Sequence, residues 1–275
     1  MTFIEILIAL LIERFFDWSH LRQWQWFPRY EQMISEKLSN QSASVLMAAV
    51  VIPLLLAVWL VNAVAGHLLF GFVGLLFNLL VLLYCLGPRN LWADGFASIN
   101  TLIHGDSYAA DNVKTSLNMS DTSYSHAQRK AFLSMIFNQA NSRVFAIVFW
   151  FALLGPVGAV MYRVITLAAS AAGSASLVKA ARQSLDILDW LPVRLLTFLF
   201  ALGGHFVQVL TIWRKNVMLG AASNEALLEE CGHAALGGDE QKLGQDGALE
   251  RNAINLLDRS FVIMLVVMLV LVFVN

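Results

Sequence analysis

The chain has 275 residues, of which 58% are hydrophobic and 13% charged, with a formal net charge of -1. A soluble domain carries about 25% charged residues, so an ordinary water-solvated globule is excluded. With no basic excess for a phosphate backbone, so is nucleic-acid binding.

Uncharged runs of about 18 residues or more read as transmembrane helices, because roughly 20 residues at 1.5 Å rise cross the hydrocarbon. Between Val45 and Leu86 the only residue able to carry charge is His67. From Leu195 to Trp213 only His205 interrupts, and Phe261 to Val274 is wholly apolar. Backbone groups in lipid must bond internally, which selects helices. The predicted fold is all-α: a polytopic membrane helix bundle of about five spans with short amphipathic cytoplasmic helices. It is read as one integral membrane domain over 1–275, with polar segments at 89–143 and 214–258.

The N-terminal stretch, Met1 to Phe16, is apolar but carries Glu5 and ends in Glu13 and Arg14. It lacks a basic start and a small-residue cleavage site, so it reads as a retained helix, tilted across or shallow in the membrane. Trp24 and Trp26 follow, with Arg14, Arg22 and Arg29 nearby. Aromatic rings beside cations suit the headgroup layer, so Glu13, Arg14, Trp24 and Trp26 are the candidate interface anchors.

A first clear span is predicted near Ser44 to Ala65, with Asn62, Gly66 and His67 turning the chain into a second, Leu68 to Leu86. Gly87-Pro88 stops that helix, since proline cannot continue it. Trp92, Phe96, Ile99 and Ile103 share one helical face and predict an amphipathic helix. Asp106 to Ser125 reads as loop, and another helix begins near Ser125. The third hydrophobic region, Val144 to Gly173, is interrupted by Gly155-Pro156 and is either one kinked helix or a re-entrant pair. The fourth span is placed at Leu191 to Trp213. A helix capped by Asn224 and ending at Gly237-Gly238 follows, and the final span extends back to Ala248.

Basic residues concentrate on one side if the third region crosses once. That side holds the N-terminal arginines and Lys37, then Arg89 to Arg143 and Arg214 to Arg259, whereas Lys179 and Arg182 lie opposite. The rich side is expected to be cytoplasmic.

No phosphate-binding glycine-lysine loop is present. The six histidines show no pair at ligand spacing, so no metal and no cofactor is expected. Cys85 and Cys231 read as inert thiols. Polar residues gather around the third and fourth hydrophobic regions: Asn138 and Asn141 before the third, then Tyr162, Arg163 and Thr166 beyond it, then Asp189 and Arg194. Arginines at a membrane edge need acceptors. The cluster is either a set of ion pairs with Asp186 and Asp189 or a pocket for a small anionic ligand.

These residues carry a likeness. Val148-Phe149-Trp150, Leu154-Gly155-Pro156, Gly158-Ala159, Tyr162-Arg163 and the run Leu188 to Leu195 resemble the CobD/CbiB membrane family. Ile12-Glu13-Arg14-Phe15 and Asp189-Trp190-x-Pro-Val-Arg resemble its AmpE branch most. The likeness covers most of the chain, from the N-terminal helix to the fourth span. It implies a bacterial inner-membrane protein acting in β-lactamase induction and cell-wall sensing. The partners it implies are a cell-wall fragment or other small anion and a cytoplasmic protein. The enzyme branch joins a corrinoid carboxylate to an aminopropanol phosphate using ATP. Its acidic positions fall here on Ser134, Asn138, Ser142 and Ala169, so the carboxylates that would hold Mg²⁺ are replaced. A synthase of that type is the alternative function; a transporter has little support without an evident repeat.

Overall fold

A computed structural model describes residues 2–15, 24–38, 41–67, 71–86, 126–171, 174–237 and 248–274. The predicted amphipathic helix around Trp92 to Ile103 and the loop Asp106 to Ser125 lie outside them. Every regular element among the described residues is helical, and the fold is a membrane helix bundle. We number the α-helices α1 (Thr2–Phe15), α2 (Phe27–Lys37), α3 (Ala43–His67), α4 (Phe72–Cys85), α5 (His126–Ala140) and α6 (Ala146–Leu154). They continue as α7 (Pro156–Ser170), α8 (Ala175–Gly203), α9 (Phe206–Asn216), α10 (Asn224–Ala235) and α11 (Ala248–Val274). A π-helical turn, Asn141–Phe145, joins α5 to α6.

Among the described residues, two helices are long and apolar enough to cross a membrane, within Ala43–Gly66 and Leu249–Val270; Phe72–Cys85 and Pro156–Ser170 are shorter apolar helices. Only 22% of the most apolar window in the first is covered by protein. Ile52, Leu56, Trp59, Leu60 and Val64 are all more than half exposed on it. A contiguous apolar face of this kind in water would be an aggregation surface; in lipid it is simply solvated.

The chain divides into two compact units. The first comprises Met1–Pro88 and Ser142–Asp189. Its core is built on Ile6, Phe27, Leu82, Leu86, Phe151 and Tyr162, all essentially inaccessible. α4 packs on α1 and α3, and α7 packs on α3, α4 and α6. The turn into the second apolar helix differs from the predicted one. Asn62 and Gly66 stay inside α3, and the left-handed residue is Gly71, at φ 86°. Gly66 instead serves packing: a side chain on Gly74 would come within 3.1 Å of Gly66 Cα, so α3 and α4 approach with glycine on both sides.

Gly155 resolves the interruption in the third region. Its φ of 66° and ψ of -152° end α6, and Pro156 then opens α7 with a fixed φ and no amide hydrogen to satisfy. The region is two helices packed on each other. Gly158 has no room for a side chain against Trp150 O and Leu154.

The second unit comprises Arg89–Asn141 and Trp190–Asn275. α10 packs on α5 and α9, and α11 on α5. Phe137 and Phe200 stack at 5.2 Å, and Phe137 fills the space that a side chain on Gly232 would need. The predicted fourth span is corrected here. The helix that contains its start begins at Ala175, and it stops at Gly203, so that Phe206–Asn216 is a separate helix. The cause is a backbone approach. His205 N donates to Ala235 O at 3.1 Å, and Gly204 lies against the same carbonyl, too close for any side chain.

Candidate functional site

In the first unit α7 presents Tyr162, Arg163 and Thr166, and α8 presents Asp189. All four follow from helix geometry. Tyr162 and Thr166 are four residues apart on one face, and Thr166 Oγ1 donates to Tyr162 O at 2.8 Å. Tyr162 is fully buried, and its hydroxyl donates to Asp189 Oδ1 at 2.8 Å. A phenol buried in an apolar core must find an acceptor, and Asp189 supplies a charged one.

Arg163 is the unusual member. Its side chain is 6% exposed, and its Nε is buried with no hydrogen-bond partner. The ionisable groups that reach it electrostatically are Cys85, Arg143, Tyr162 and Tyr84. Arg143 repels it, and among the described residues no carboxylate is one of them. An arginine buried without an opposing charge costs on the order of 3 kcal/mol or more. The buried Arg163 guanidinium, with one donor unused, is suited to an anionic partner.

In the second unit Arg194 shows the opposite arrangement. It is 3% exposed, and each of its three nitrogens donates at least one hydrogen bond. Nε donates to Val217 O at 2.9 Å and Nη2 to Leu219 O at 2.7 Å. Nη1 donates to Trp190 O at 2.8 Å and to Asn224 Oδ1 at 2.6 Å. The guanidinium also lies 4.5 Å from the Trp190 ring centroid. Trp190 in turn donates to Leu219 O at 3.1 Å. These contacts fasten the connection between α9 and α10, whose carbonyls have no helical partner. The expectation that Arg194 would be held by aspartate is therefore replaced by a clamp of carbonyls and one amide. Asn224 was expected to cap its helix; it is instead the first residue of α10, after Ser223, and its Oδ1 accepts from Arg194 Nη1.

Asn138 and Asn141 belong to this second unit. Asn138 Nδ2 donates to Ser134 O at 2.9 Å, one turn back along α5. Asn141 is 3% exposed and opens the π turn. Insertions of this type widen a helix by one residue and recur at functional positions.

Of the anchors, Trp24 and Trp26 gather on the end of α4 in the first unit. Trp24 Nε1 donates to Tyr84 O at 3.3 Å and Trp26 Nε1 to Tyr84 Oη at 3.1 Å. Trp24 also stacks on the Tyr84 ring at 4.7 Å. Trp24 is buried and Trp26 exposed; Glu13 is buried on α1. The side chain of Arg14 lies outside the described residues.

Tyr84, Cys85 and Arg143 as neighbours of Arg163 were not singled out from the sequence, because they come from α4 and the π turn. Trp190 offered a signal, lying four residues before Arg194, the spacing at which one helical side chain covers another. Asn224 offered none.

The family profile described as "Regulatory signalling modulator protein AmpE" matches residues 1–274. The chain belongs to the AmpE family. Among curated relatives, the "Cobalamin biosynthesis protein CobD" of Stutzerimonas stutzeri (strain A1501) is 27% identical over 194 residues, covering 68% of this chain and 62% of that one. The protein of the same description from Chromobacterium violaceum is 29% identical over 113 residues, 39% of this chain and 36% of that one. The chain thus aligns with less than two thirds of either relative. No solved structure matches it.

Proposed function

We propose that this AmpE-family protein is an inner-membrane signalling component of β-lactamase induction and cell-wall sensing, and that it binds a small anionic ligand at Arg163. The observation that carries the ligand is the buried Arg163 guanidinium, with an unpartnered Nε and with Arg143 as its charged neighbour. A phosphate- or carboxylate-bearing wall fragment supplies the charge that Arg163 needs. Ligand binding there acts on the packing of α7 against α3 and α4, and a cytoplasmic protein partner reads the change. The whole-chain family match supports the signalling role.

The alternative is an ATP-dependent synthase of corrinoid amides, favoured by the identity with CobD proteins. Against it, Ser134 and Asn138 stand where the enzyme pattern carries carboxylates. Ser134 Oγ donates to Lys130 O at 3.0 Å, and Asn138 to Ser134 O, so both turn to their own helix. Complementation separates the two readings. Expression in a cell deleted for its own AmpE-family protein should restore normal β-lactamase induction, and expression in a cell lacking corrinoid-amide synthase should not restore cobalamin-dependent growth. The reverse pattern would establish the synthase.

A further inference from the structure

A different pair of residues, in the first unit, has an unbalanced set of hydrogen-bonding atoms. Asn78 Nδ2 on α4 donates to Glu5 Oε1 on α1 at 3.2 Å. The other two oxygens of the pair, Glu5 Oε2 and Asn78 Oδ1, are both buried and both without a hydrogen-bond partner. Glu5 is 2% exposed. With the carboxyl ionised, both orphaned atoms are acceptors, and each carries the desolvation penalty of an unmade bond.

One proton removes both penalties. On Glu5 Oε2 it makes that atom a donor, and the acceptor it needs is the oxygen of the amide group that already donates to Oε1. The result is a reciprocal acid–amide ring of two hydrogen bonds. The surroundings supply little to oppose it. α1 packs on α4 and α6; α4 carries Tyr84 and Cys85 as its titratable groups, and α6 carries none. On its own helix, the amino terminus comes four residues before Glu5 in sequence, and Glu13 and Arg14 follow at eight and nine residues, about 12 Å away along the axis.

We propose that Glu5 is held as the neutral acid at pH 7 and forms a reciprocal pair with Asn78, making a proton-binding site between α1 and α4. The proton comes from solvent and no other bond changes. Intramembrane carboxylates are costly when charged and are kept where they have a partner; here the partner is matched to the protonated form alone. The proposal is independent of the Arg163 ligand.

Infrared spectra of the full chain in lipid vesicles at pH 7 test it. The difference between wild type and Glu5→Gln should show the C=O stretch of a protonated carboxyl present in wild type and missing in the variant. Glutamine can make both hydrogen bonds to Asn78, so the variant should fold. Loss of ionised-carboxylate bands instead would overturn the proposal. If Glu5→Gln does not accumulate, Asn78→Leu provides the second reading. The acid C=O band should shift to higher frequency when its partner is removed, and an unmoved band would refute the pairing.

Discussion

The hydroxyl of Tyr162 and the carboxylate of Asp189 meet at 2.8 Å, a bond that spans 27 positions of sequence and ties α7 to α8. Tyr162 is fully buried, so the interaction is made in a medium where losing it is expensive. Tyr162→Phe keeps the ring and removes the donor. It should lower stability by about 1–3 kcal/mol, read as a reduced unfolding midpoint in detergent. An unchanged midpoint would show that the hydroxyl contributes nothing to the fold.

Arg194 should behave as a structural clamp. Arg194→Ala takes the side-chain donor from Val217 O and leaves Leu219 O with Trp190 alone, and lysine cannot replace the fork that reaches Val217, Leu219 and Asn224 together. Both Arg194→Ala and Arg194→Lys should cut the yield of folded protein, alanine by a loss on the order of 3 kcal/mol. Asn224→Ala should cost less, and the double change less than the sum. Additive losses would mean that Arg194 and Asn224 act separately.

Much of this architecture was legible beforehand. The first clear span, the final helix starting at Ala248 and the interruption at Gly155-Pro156 all follow from hydropathy and from the chemistry of proline and glycine. The misreadings share a cause. The local pattern reads Gly66 as a turn and Gly203-Gly204 as part of a span, because glycine serves close packing and chain reversal alike. The choice is made by a distant partner, Gly74 for one and Ala235 for the other. The site was half visible. Polar residues in apolar context flagged Tyr162, Arg163, Asp189 and Arg194. That Arg194 is saturated while Arg163 Nε is not depends on loop carbonyls and on α4, which no local pattern encodes.

Glu31, on the polar helix α2, gives a pH-dependent prediction. It is 2% exposed, and burial raises its pKa, partly offset by the Ser174 backbone amide that donates to it. A carboxyl whose folded pKa is raised binds more protons in the folded state. Its contribution is therefore complete at acid pH, below its unfolded pKa, and declines as pH rises through that value toward the folded one. Glu31→Gln does not ionise and should be relatively more stable than wild type at neutral pH, with the gap narrowing on acidification. Thermal melts at several pH values measure this; a gap that widens toward acid would contradict it.

Cys231 lies in the polar segment taken as cytoplasmic, yet it is fully buried in α10, and burial pushes its thiol up to about 12. An impermeant maleimide should leave it unlabelled in folded protein from either side of the membrane. Topology is better read from Glu230→Cys in a Cys231→Ala background, since residue 230 is exposed. Labelling in inverted vesicles and not in spheroplasts is what a third region that crosses once requires. Labelling in spheroplasts would put α10 outside the cell and make α6 and α7 a re-entrant pair.

The ligand site is tested most directly by Arg163→Ala, measured at once for folded protein and for β-lactamase induction. Removing a buried cation that lacks an opposing charge relieves the resting fold of a cost, so the variant should be at least as stable as wild type while induction is lost. That combination is the mark of a residue kept for its ligand. Normal induction with normal folded protein would contradict the account, and loss of folded protein in step with loss of induction would make Arg163 a structural residue.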